Sequence, residues 1–125
     1  MPISNAVGAE ILNKEWNATN YTSPATYYVG FRNNGTELTG GGYARIEVTA
    51  NTTNFATTST TLMSNATAFS TPTASADWLE ADEVAIYTAS SGGTARYTGM
   101  LDAPFTLRTG TKRTFGIGAL RIRLI

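Results

Sequence analysis

The chain has 125 residues, enough for one domain, with nine basic and nine acidic side chains and no histidine or cysteine. That excludes a disulfide framework, a thiolate metal site and a histidine general base, and a formal net charge of zero gives no global pull towards nucleic acid or membrane. Threonine accounts for 22 residues, and its β-branch favours pleated, half-wet strands over helices.

The opening MPISNAVGAE has neither a basic n-region nor a continuous apolar stretch, so it does not read as a secretory signal. No apolar run approaches the ~20 residues of a membrane helix, and the expectation is a soluble protein made without signal-peptide export. Residues 3–16 are predicted as the one helix. Ser4 or Asn5 caps it, Val7, Ile11, Leu12 and Trp16 share a face, and Glu10 and Lys14 stand one turn apart.

Beyond a turn-rich segment the pattern is strand. Residues 26–31 (TYYVGF) form one, RNNGTELTGGG is read as a loop, and residues 43–50 (YARIEVTA) alternate with period two. Tyr43, Arg45, Glu47 and Thr49 are placed on one face; Ala44, Ile46, Val48 and Ala50 on the other. Gly40, Gly41 and Gly42 are read as the bend that delivers Tyr43 and Arg45, with φ > 0 expected there.

Residues 51–75 are polar, interrupted by Phe55, Leu62, Met63 and Phe69, with ATAFS as a possible short strand and Pro72 marking a loop or edge. Residues 84–88 are predicted as a buried strand, SSGG as its turn and residues 95–101 as its hairpin partner. FTLR, the turn TGTK and a final run from residue 113 to 125 complete the chain. In that run Leu120, Ile122 and Leu124 share a face opposite Arg121 and Arg123. Short strands about ten residues apart with glycine-rich turns indicate an antiparallel sandwich or jelly roll in a single domain, 1–125.

Candidate chemistry is sparse. The glycines lead into a strand with no following Lys or helix, so they match neither a phosphate loop nor a dinucleotide fingerprint, and GIGAL lacks a third glycine. Asp77, Glu80, Asp82 and Glu83 form the one acidic cluster. Paired carboxylates serve glycosidases and oxygen ligands serve Ca²⁺, but DWLEADE is no EF-hand loop, and a solvated loop is the plainer reading. Asn-x-Thr triplets at Asn17, Asn34, Asn51 and Asn65 are read as products of composition.

Charge placement is more informative. All nine acids lie before Ala103, whereas the remainder carries Arg108, Lys112, Arg113, Arg121 and Arg123. These are either the wet face of strands or an inter-subunit contact, in which planar guanidinium groups meet the acidic loop 77–83 or an acidic neighbour. Nucleic acid is not expected as a partner, because no aromatics interleave the arginines as stacking platforms.

A helix with ILN, then YYVGF, then GTELTGGGYAR and a β-rich middle together resemble a widespread family of small bacteriophage virion proteins of the tail-fibre or head-decoration type. The second half is similar too, with a Trp, VAIYTASSGG, ARYTGML, a Pro and a closing apolar strand. DWLEADEVAIY departs from the pattern by holding the Trp further from the strand. The resemblance covers nearly the whole chain, and ELTGGGYAR is its most specific element.

It implies a structural protein of a tailed phage, mainly β, an antiparallel sandwich or jelly roll with one short N-terminal helix. It further implies a homotrimer with no catalytic residue, no cofactor and no metal. The favoured expectation is a capsid decoration (cement) protein, made in the host cytoplasm and sited on the capsid surface of the virion. Its partner would be the major capsid protein or another virion protein, and binding only the assembled shell would stabilise that shell by linkage. The alternative is a tail or fibre-tip adhesin, with Tyr21, Tyr43, Tyr97 and Trp78 as stacking platforms for a host receptor.

Overall fold

The computed structural model of the protein describes residues 5–18, 23–59 and 62–123. Along them run helix α1 (Asn5–Asn17) and strands β1 (Thr26–Asn33), β2 (Thr36–Glu37), β3 (Ile46–Thr49), β4 (Phe55–Ser59) and β5 (Leu62–Asn65). The second half adds β6 (Phe69–Ser70), β7 (Ala81–Tyr87), β8 (Tyr97–Phe105), β9 (Thr114–Phe115) and β10 (Arg121–Arg123). The fold is mainly β, every strand pairing is antiparallel, and one short helix precedes the strands.

β1 and β7 form the centre of the largest sheet, whose order is β2-β1-β7-β8 with β3 also on β1. Residues 29–31 of β1 and 84–87 of β7 are buried without alternation, because both faces of this pair are covered. Val29 and Phe31 lie opposite Ile86 and Val84 on one face; Tyr28, Gly30 and Arg32 lie opposite Tyr87, Ala85 and Glu83 on the other. β8 is an outer strand, which accommodates Pro104 without breaking a ladder.

The apolar face of β1 and β7 meets a three-stranded sheet, β10-β5-β4, and the pair β6-β9. Phe55 of β4 meets Tyr27 edge-on, with ring centres 6.5 Å apart. Phe115 of β9 stacks on Phe31 at 5.5 Å and on Phe69 at 5.2 Å, and Phe105 stands edge-on to both Phe31 and Phe115. Such ring pairs each add about 0.5–1.5 kcal/mol beyond their burial.

Asn65, 1% exposed, stitches β5 to the turn before β10. Its Nδ2 donates to the carbonyls of Thr67 (2.8 Å) and Gly116 (3.0 Å), and its Oδ1 accepts from Leu120 N at 2.9 Å. The backbone joins in, with Gly118 N donating to Asn65 O and Asn65 N donating to Leu120 O. A buried amide with its polar atoms satisfied in this way determines where the last strands divide.

Several sequence expectations change. The loop assigned to RNNGTELTGGG is in part a hairpin: β1 continues to Asn33, and Asn34 (φ 50°) and Gly35 (φ 83°) make a tight turn into β2. Two successive positive φ values match the right-handed twist of a two-residue hairpin. The strand expected at residues 43–50 begins only at Ile46, although Ile46 and Val48 point inward and Glu47 and Thr49 outward as foreseen. The polar stretch 51–75 holds β4, β5 and β6. The final run splits into β9 and β10 because Gly118 (φ 80°) turns the chain between them.

The helix also differs. Val7 is buried, but Leu12 is 60% and Trp16 80% exposed, so the expected apolar face is not covered. Glu10 pairs with Arg96 at 2.7 Å, which ties the first half of α1 to the β body, while residues 12–17 are exposed. The proposed cap Ser4, the first residue of the expected helix, Tyr21 and Leu124 lie outside the described residues.

Candidate functional site

The densest polar arrangement grows from the stretch TELTGGGYAR. β2 and β3 share one edge of β1, β2 on Arg32 and Asn33 and β3 on residues 26–29. Between them the chain leaves that edge, so Phe31 would lose its ladder partners. Leu38 N donates to Phe31 O (3.1 Å), and the Tyr43 hydroxyl accepts from Phe31 N at 3.0 Å. The tyrosine thus takes the place of a missing strand residue.

The glycines make this return possible. Gly40, Gly41 and Gly42 all have positive φ, as expected. The Gly41 carbonyl accepts from Trp78 Nε1 and Ser75 N, both at 2.8 Å. Gly30 on β1 completes the fit, since a Cβ there would come within 2.9 Å of the Tyr43 hydroxyl and 3.1 Å of Glu37 Oε2.

Glu37 is the hub. It accepts from the Tyr43 hydroxyl at 2.6 Å and, through both carboxylate oxygens, from Arg45 Nε and Nη2 at 2.8 Å each. Arg45, with a side chain only 3% exposed, also donates to the carbonyls of Ala89 and Gly92 and lies 3.4 Å above the Tyr87 ring. Arg32 then donates to the Tyr87 hydroxyl and pairs with Glu83 at 3.2 Å. A planar fork held on both sides by carboxylate, carbonyls and ring locks the 38–45 loop to the turn after β7.

The electrostatics point the same way. Arg45 holds the Glu37 carboxyl below its ordinary range, and burial, then the hydrogen bond to Glu37, pushes the Tyr43 phenol up. Neither group sits near neutrality, where a general acid or base works best. Arranged like this, the cluster holds structure.

The predicted site residues are dispersed. Asp77 Oδ1 accepts from Thr109 N (2.8 Å) and Thr109 Oγ1 (3.1 Å), and the backbone bond chiefly lowers its pKa. Asp82 accepts from Asn34 N, Glu83 pairs with Arg32, and Glu80 offers its backbone carbonyl to Asn33. Among the described residues no three acids stand close enough to share a metal ion. Arg108 lies near Asp77, so the basic C-terminal segment and the acidic stretch already adjoin within one chain, and Asp82 and Glu83 of that stretch belong to strand β7 and not to a loop. Lys112, Arg121 and Arg123 are exposed, and Arg113 lies over the Phe105 and Phe115 rings at 5.6 and 5.8 Å. Of the suggested stacking platforms, Trp78 is 5% exposed and Tyr43 is engaged as above.

A sequence model of the family described as podophage GP4 fiber I protein gp80 matches residues 2–123. The chain belongs to that family. This sets it among phage virion proteins, and the description names a fibre. No curated protein matches the chain.

Three parts of this gp80-family chain went unrecognised in the sequence. Asn34–Gly35 carried a usable signal, since Asn-Gly beside an alternating run is the strongest short hairpin cue. Asn65 carried none, because its role depends on a turn more than fifty residues away. The Glu37–Arg45 pair was hidden by assigning Arg45 to a strand.

Proposed function

We propose that the protein is a structural component of a phage tail fibre, built as a trimer of jelly-roll-like sandwich subunits that join other virion proteins. The observation that carries this reading is the match to a fibre-protein family across residues 2–123. The acids Asp77, Asp82 and Glu83 are engaged in turns and an ion pair, which supports a structural role over a catalytic one. Leu12 and Trp16, exposed one turn apart on α1, support a contact face between subunits or with a neighbour. Exposed Lys112 and Arg123 suit the acidic surface of another virion protein.

Cryo-electron microscopy of the phage particle tests the placement, with density for this chain expected on the tail fibres. Density confined to the shell would replace the reading with a capsid decoration protein bound to the major capsid protein. Sedimentation of the purified chain tests the trimer, and a stable monomer would contradict it.

A further inference from the structure

Asn34 is the one asparagine of the chain that is followed by glycine, and the pair forms the tip of the β1–β2 hairpin. Both residues are exposed. Asp82 holds the Asn34 backbone N–H through its two carboxylate oxygens, at 3.2 and 3.1 Å. Among the described residues nothing engages the Asn34 side-chain amide or the Gly35 N–H. A Cβ at Gly35 would meet nothing within 4 Å, so the glycine nitrogen stands in open space.

We propose that Asn34 is a site of self-modification, converted to aspartate and isoaspartate with loss of ammonia, and that this change unlocks the Glu37–Arg45 pair. A base takes the Gly35 N–H proton, the nitrogen bonds to Asn34 Cγ, and the Cγ–Nδ2 bond breaks. The amide nitrogen leaves as ammonia and a five-membered imide remains. Water then opens the ring. Cleavage between the nitrogen and Cγ yields aspartate; cleavage between the nitrogen and the backbone carbonyl carbon yields isoaspartate, whose main chain runs through Cβ and Cγ. Water is the one co-reactant, and nothing is oxidised or reduced.

The fold singles out this asparagine. Ring closure requires Asn34 to leave the tight turn, and β2 is only two residues long. Freeing the tip breaks the Asn33–Thr36 pairing and the contact with Asp82 while β1 stays on β7. Neighbouring Asn33 donates its amide to the Glu80 carbonyl at 2.8 Å, and Asn65 is 1% exposed with Nδ2 and Oδ1 both bonded, so neither has the same freedom. The consequence runs through β2. Isoaspartate adds one carbon to the main chain, and a two-residue turn no longer sets residue 33 opposite Thr36. Glu37, the next residue along β2, is the acceptor that fixes Tyr43 and Arg45. Either product also places a second carboxylate beside Asp82, which repels it.

The test is storage of the full chain at mildly alkaline pH and physiological temperature, followed by mass spectrometry of the fragment 33–45 that trypsin frees after Arg32 and Arg45. Replacement of the amide NH2 by OH should appear at Asn34, as both aspartate and isoaspartate, at least about tenfold faster than at any other asparagine. Asn34→Asp, which tolerates a positive φ and has no amide to lose, should show no such mass gain in that fragment. Should Asn34→Asp fail to fold, as judged by its thermal transition, Asn34→Gln gives the same readout, because its attack would need a six-membered ring. The converted fraction, separated by anion exchange through its extra negative charge, should unfold at a lower temperature than the unconverted chain. No conversion at Asn34, conversion spread evenly over the asparagines, an undiminished gain in the variants, or a converted fraction with an unchanged transition would overturn the proposal.

Discussion

A Cβ on Gly41 would stand 2.7 Å from the Ala76 carbonyl oxygen and 2.8 Å from Trp78 Cδ1, at a φ of +61°. At Gly40 φ is +74°, but nothing lies within 4 Å. Alanine at position 40 therefore meets backbone strain alone, about 1 kcal/mol. At position 41 it must also displace a carbonyl and a buried indole, so the expected loss is about 2 kcal/mol or more. Thermal unfolding of the two variants separates the effects, and equal losses would show that close approach is irrelevant. Glu37 gives a second residue-scale prediction. Its carboxyl is held low chiefly by Arg45, so it adds stability above its unfolded value of 4.5 and loses that contribution as pH falls through the folded value. Glu37→Gln should lower stability near neutral pH and make the acid limb of the stability curve shallower. The limb should not become flat, because Arg96 and the Thr109 backbone hold Glu10 and Asp77 low as well. Urea midpoints across the acid range measure this. An unchanged slope would mean that the Glu37–Arg45 pair does not form in solution.

At the scale of elements, the division of the last run into β9 and β10 depends on one amide. Replacing Asn65 with Ala leaves the buried Leu120 N without its acceptor and the partly buried Thr67 and Gly116 carbonyl bonds without their donor. The expected loss is about 2–3 kcal/mol by denaturant unfolding; a loss below about 0.5 kcal/mol, the level of an ordinary surface change, would contradict the stitching role. This element also shows what patterning conveys. The β7–β8 hairpin was legible because an apolar run, a Gly-rich turn and a second run follow each other directly. β4 and β5 were not, because a strand rich in Thr and Ser reads the same whether it pairs or stays in solvent. The helix was legible as a helix from Val7, Ile11, Leu12 and Trp16, but periodicity states which side chains share a face and not whether anything covers that face.

For the whole molecule, the β class followed from composition and alternation, which are properties of neighbours in sequence. The candidate site did not, because Glu37, Tyr43, Arg45 and the carbonyls of Ala89 and Gly92 meet only after the 38–45 loop folds back beside β1 and the turn after β7. The excess of base after Ala103 was visible, but not that Arg113 would settle on two phenylalanines. The same long-range pairing has a consequence in time. Asn65 waits for Leu120, 55 residues later, and Ser70 for Thr114, 44 residues later. As the chain leaves the ribosome, β5 and β6 are made well before their partners β10 and β9, and until then they present open edges that recruit other chains. A chain stopped after Lys112 should therefore accumulate as aggregate instead of a weakened monomer, and a soluble truncated protein with a cooperative unfolding transition would refute this. Synthesis of the protein thus has a vulnerable interval that closes only when the last ten described residues emerge.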